Sequence, residues 1–97
     1  MSVVVLVELV VKPEEVSNLI GTFKQMLPDT RAYAGNQGIE VYQNQDDPTI
    51  IFLYETWETK EHYQKYLAWR TETGVMDGLG AVLAAPPSIR YLNNIPT

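Results

Sequence analysis

Between Leu53 and Arg70 the chain concentrates the side chains best suited to chemistry: Tyr54, Glu55, Trp57, His62, Tyr63, Tyr66, Trp69 and Arg70. Flat rings with polar tips can wall a pocket for a planar ligand, while a carboxyl, an imidazole and a guanidinium can move a proton or hold an anion. Period-two spacing puts Ile51, Leu53, Glu55 and Trp57 on one face of a strand. A carboxyl in that company has its pKa raised by burial toward the range where a base works at neutral pH. On the helix that follows, Tyr66 and Arg70 are one turn apart and share a side, where with Tyr63 they can hydrogen-bond an anion and stabilise its charge. His62 titrates near neutrality by nature and is a second candidate base. Each of these residues also has a purely structural use. Tyr and Trp pack cores and interfaces, and His62 in a first helical turn can be a solvated side chain. Arg70 can form a salt bridge or lay its stem over the core, and Glu55 and the intrastrand Glu8 can pair with a basic or Tyr neighbour.

Other chemistries lack their parts. Cysteine is absent and there is a single His, so thiolate nucleophiles, disulfides and multi-histidine metal sites are excluded. Asp46-Asp47 beside Pro48 is turn composition rather than a cation site. Gly78-Leu79-Gly80 follows no strand, so it is no dinucleotide fingerprint, and neither a phosphate loop nor a nucleophile elbow is found. No metal or cofactor is therefore expected. A formal charge of −5 with isolated Lys and Arg residues provides no basic stripe for nucleic acid. The apolar run Val3 to Val11 is too short to cross a bilayer and lacks the flanks of a signal peptide, so no membrane partner and a cytoplasmic location are expected.

The elements that must position these residues are legible from pattern. Val3 to Val11 is rich in β-branched residues and apolar on both alternating faces, as in a strand covered on two sides. Lys12-Pro13-Glu14-Glu15 opens a helix. Val16, Leu19, Ile20, Phe23, Met26 and Leu27 continue it to a stop near Pro28, with another short helical turn over 29–34 before Gly35. Ile39 to Tyr42 and Thr49 to Trp57 form a hairpin about the turn Asn44 to Pro48. Thr59 caps a second helix carrying Tyr63, Tyr66, Leu67 and Arg70, which Gly74 ends. Val75 to Leu83 is a further helical stretch, and Ser88 to Asn93 is a last strand after Pro86-Pro87. The order predicts an α+β, ferredoxin-like βαββαβ fold with an antiparallel sheet, one domain across residues 1–97. A chain this short can cover the helix-free sheet face only with a second copy, so a homodimer with facing sheets is expected. Val5 is the test position for that contact, and either Arg90 or Tyr91 must face the partner.

Tyr54-Glu55-Thr56-Trp57-Glu58-Thr59-Lys60-Glu61 resembles the third-strand signature of the antibiotic biosynthesis monooxygenase family, which includes quinol monooxygenases. The resemblance extends through Pro28-Asp29-Thr30-Arg31, Gly35, Asp46-Asp47-Pro48 and Pro86-Pro87-Ser88-Ile89. It implies a homodimer of facing sheets (a dimeric α+β barrel) and oxidation of a phenolic, quinol or polycyclic aromatic substrate by molecular oxygen without metal or flavin. Trp57 matches the Trp that lines the pocket in several members. Tyr66 stands where many members have His and Leu53 where some have Asn, so the Asn, Trp and His set of haem-degrading relatives is not present. On this reading Trp57, Tyr66, Arg70 and His62 are the catalytic candidates, and Leu53, Glu55 and Tyr63 the substrate-binding ones. The alternative is a non-catalytic small-molecule-binding or structural dimer of the same fold.

Overall fold

The computed structural model describes residues 2–97. Strand β1 (Val3–Val10) leads through a short 3-10 turn, Pro13–Glu15, into helix α1 (Val16–Ala32). Strands β2 (Asn36–Gln43) and β3 (Ile50–Trp57) follow, then helices α2 (Lys60–Glu72) and α3 (Val75–Val82), and strand β4 (Ser88–Leu92). The four strands form one antiparallel sheet in the order β2-β3-β1-β4, so the two longest apolar strands lie in the middle. This is the predicted α+β arrangement, with β1 and β3 bringing both their flanks into the ladder.

Register decides what each strand residue meets. Val5, Val7 and Leu9 lie opposite Glu55, Leu53 and Ile51. All six are buried under the helices with Leu19, Phe23 and Leu27 of α1 and Tyr63 and Tyr66 of α2. The alternate set, Val4, Leu6, Val10, Ile50 and Phe52, remains half-exposed on the helix-free face with the exposed Tyr54. Val5 therefore faces the helices and is fully buried, which corrects its use as the probe of the open face; Leu6 occupies that role. On β4, Tyr91 opposes Val5 on the helix side, while Arg90 opposes Leu6 on the open side, 3.8 Å from Glu8. Strands apolar on both faces blur this choice, because a one-residue shift exchanges two largely apolar sets that differ in β1 only by Glu8 on the open one.

Helix α1 does not stop at Pro28 but runs through it to Ala32 as a single element. An interior Pro costs on the order of 3 kcal/mol locally. Tertiary contacts hold the last turn nonetheless. Thr30 is fully buried and bonded to Tyr66 and Arg70 of α2, and Arg70 also donates to the carbonyl of Met26 at 2.9 Å. The Pro28 ring itself points to the exposed side. Two turns follow local chemistry more simply. The Asn44 side-chain oxygen accepts the amides of Asp46 and Asp47, and Asp47 accepts both the amide and the hydroxyl of Thr49, which lowers its pKa. Gly74 ends α2 at φ +82°, a conformation that favours glycine.

Candidate functional site

Helices α1, α2 and α3 do not close fully on the sheet. They leave a cavity of about 300 Å³ whose walls include Phe23 and Met26 of α1, Leu79 of α3, and Ile89 of β4. Five of the seven residues singled out from sequence line it: Leu53, Glu55, Tyr63, Tyr66 and Arg70. They converge because β3 presents odd-numbered residues to the helices, and because positions 63, 66 and 70 repeat at helical spacing along the face of α2 turned to the sheet. A larger depression of about 480 Å³ lies between α1 and the edge strand β2, beside Lys24, Arg31 and Val41. It contains none of the buried polar side chains, Thr30, Glu55 and Arg70. Chemistry is concentrated in the smaller space.

Glu55 is the central ionisable group. It is 2% exposed, flanked by Val5 on β1 and Ile39 on β2, and its Oε1 accepts the indole N–H of Trp57 at 3.0 Å. Burial pushes its pKa up to about 7, with the Trp57 hydrogen bond pulling partly back. The carboxyl thus changes charge near neutral pH inside a mainly apolar wall. Tyr63 is held in its phenol form, because burial and the nearby Glu55 charge both raise its pKa.

At the α1 side of the cavity a second polar group is built from three residues. Arg70 is 5% exposed, and its Nε donates to the Tyr66 hydroxyl at 3.0 Å while its Nη2 donates to Thr30 Oγ1 at 3.0 Å and to the Met26 carbonyl. Thr30 and Tyr66 share a hydrogen bond of 2.7 Å. The guanidinium also lies 4.4 Å over the Trp69 ring. Of the structural readings of Arg70 from sequence, the salt bridge is not formed among the described residues, and its hydrogen-bond partners are neutral acceptors. Thr30 was missed by sequence reasoning. Its signal was a hydroxyl three residues beyond Leu27 in the buried stripe Leu19, Phe23, Leu27, where only an apolar residue is expected unless it has a partner.

Trp57 and His62 lie off the cavity wall. Trp57 is fully buried among the rings of Tyr33, Tyr63 and Tyr66, at centroid distances of 6.4, 5.6 and 5.0 Å. Its link to the cavity is the N–H given to Glu55. His62 sits in the first turn of α2, where its amide donates to the capping Thr59 hydroxyl and its Nδ1 shares a 2.6 Å hydrogen bond with the same oxygen. The ring packs on Gly35, at φ +91°, where a Cβ would clash with the His62 side chain. Trp57→Phe should therefore raise the Glu55 pKa further and cost about 1–3 kcal/mol of stability through an unsatisfied carboxyl. Carboxyl titration by NMR beside a thermal melt checks this. An unchanged Glu55 titration with a lowered melting point would reduce Trp57 to packing.

Comparison with known proteins agrees with this architecture. A conserved protein from Methanosarcina mazei superimposes with a TM-score of 0.88 at 20% identity, over 98% of this chain and 94% of that one. A solved antibiotic biosynthesis monooxygenase gives 0.86 at 16% identity, over 97% and 99%. A Nitrosomonas europaea protein assigned to the same family gives 0.81 at 22%, over 97% and 90%. Identities this low establish the shared fold. No curated protein matches the chain in sequence. The family model described as antibiotic biosynthesis monooxygenase matches residues 2–71, which takes in β1, α1, the β2-β3 hairpin and nearly all of α2, and the chain belongs to that family.

Proposed function

We propose that the chain is a cofactor-independent monooxygenase, working as a cytoplasmic homodimer, that oxidises a phenolic, quinol or polycyclic aromatic substrate in the cavity under its helices. The observation that carries this reading is Glu55: a carboxyl with a pKa of about 7 on the wall of a largely apolar cavity that Arg70 also lines. In its ionised form Glu55 takes the phenolic proton. The electron-rich phenolate then passes one electron to oxygen, and the superoxide and substrate radical recombine as a carbon-bound peroxide. Loss of water from the peroxide leaves a quinone, so one oxygen atom enters the product and the other leaves as water. For a simple phenol, one molecule of substrate and one of oxygen become one of quinone and one of water. The positive charge of Arg70 favours an anionic ligand in the cavity, and the apolar walls exclude bulk water from the reactive pair.

Oxygen uptake by metal-stripped protein across a panel of phenols and hydroquinones tests the reaction. Turnover is expected for at least one compact aromatic, with a single ¹⁸O atom from labelled oxygen in the quinone. No uptake across the panel would favour the non-catalytic binding dimer, a reading supported by the apolar Leu53 on the cavity wall. Support for the dimer itself comes from the half-exposed Val4, Leu6 and Phe52 and the exposed Tyr54 on the helix-free face.

A further inference from the structure

Arg70 carries a full positive charge that nothing in its surroundings neutralises. It is nineteen-twentieths buried, yet every acceptor it meets is neutral: a phenol, a threonine hydroxyl and a backbone carbonyl. The one ion pair among the described residues joins Arg90 to Glu8 on the opposite sheet face. Nη1 of Arg70 has no partner among the described residues, although the side chain forms part of the cavity wall. A buried guanidinium left without a counter-charge is costly, and this chain tolerates it at the edge of a cavity. Glu55 occupies the same cavity without pairing to Arg70, and its environment favours the neutral carboxyl up to about pH 7. The cavity thus has two separate polar positions, one that receives a proton and one that attracts an anion, joined by apolar wall.

We propose that Arg70 is the seat of a permanent anion on the ligand, and that the cavity takes a one- or two-ring aromatic carboxylate whose hydroxyl group lies toward Glu55. The class deepens the monooxygenase reading and rests on it for the hydroxyl's role. Arg70 is suited to the task because a guanidinium presents further N–H donors in a plane that a carboxylate oxygen can reach while Nε and Nη2 stay bonded to the protein. The volume of about 300 Å³ is at the small end for ligand pockets and limits the ring system. Tyr66 and Thr30 hold the guanidinium in place and act as positioning residues.

Binding is measured without turnover, under anaerobic conditions, by tryptophan fluorescence titration of the full chain with a hydroxynaphthoate and with its methyl ester. The acid is expected to bind at least tenfold more tightly than the ester. In Arg70→Gln, which keeps a donor for Thr30 and removes the charge, that preference should fall to within about twofold. Equal binding of acid and ester to the wild type overturns the proposal, and so does a preference that survives in the variant. Should Arg70→Gln fail to fold, salt decides. The acid's advantage over the ester must persist at high ionic strength if it arises at a buried charge, whereas loss of the advantage in salt marks surface attraction and overturns the proposal. Acid-selective binding with no oxygen uptake would sink the monooxygenase reading and leave the anion seat standing. Uptake with ester and acid alike would do the reverse.

Discussion

Glu55→Gln is expected to lower turnover of a phenolic substrate by roughly 10²–10⁴-fold while leaving the fold in place, the range typical of removing a general base. Gln keeps the volume and can still accept the indole N–H of Trp57, but it takes no proton. The wild type should also show a rise in turnover as pH passes through about 7, the pKa of the buried carboxyl, and the variant should lose that rise. Stability supplies an independent check with a definite sign. Burial raises the folded-state pKa above the ordinary value of 4.5, so the folded state binds the proton more tightly than the unfolded chain does. Its contribution is therefore complete below about pH 4.5 and is lost as pH rises through about 7. The loss amounts to about 3 kcal/mol if the whole shift is expressed. Glu55→Gln should accordingly melt close to the wild type at pH 5 and above it at pH 8. Steady-state oxygen uptake and thermal melts across that range test both parts. A variant with full activity removes Glu55 as the base, and parallel melting curves at all pH values would mean the carboxyl is not held neutral by burial.

Leu6→Lys is expected to convert the proposed dimer to monomers at micromolar concentration. Leu6 lies mid-way along β1, between Tyr54 of β3 and Arg90 of β4, on the face that no helix covers. In a two-fold pairing of that face each subunit would bring one new ammonium into a dry contact, at a penalty of several kcal/mol per ion. Association should weaken by about a thousandfold or more. The monomer itself survives, because the half-exposed Leu6 side chain leaves room for a lysine to reach water. Light scattering should report twice 11.0 kDa for the wild type and 11.0 kDa for the variant, with unchanged circular dichroism. Val5→Lys is the contrasting control, since Val5 is fully buried beneath the helices and the change should unfold the chain. A Leu6→Lys protein that stays dimeric would place the contact on another surface.

The element order needed nothing beyond local pattern. Alternation in β3, the Thr59 cap, the left-handed Gly74 and the Asn44 to Pro48 turn all depend on near neighbours, and each appears where the sequence places it. The same holds for the cluster Leu53, Glu55, Tyr63, Tyr66 and Arg70, whose spacing in one strand and one helix already puts them on single faces. What pattern could not supply was anything settled between distant elements. Val5 and Leu6 are both apolar, Glu8 alone marks the Leu6 face, and the packing of α1 and α2 puts Val5 under the helices. Pro28 reads as a stop because the local cost is real, and α1 continues because Arg70 and Tyr66, some forty residues away, bind it on both sides of that ring, through Met26 and Thr30. Trp57 reads as a pocket wall and lies behind it instead, acting on the cavity through Glu55. Each of these outcomes weighs a local preference of a few kcal/mol against burial and hydrogen bonds that exist only once the helices have docked on the sheet.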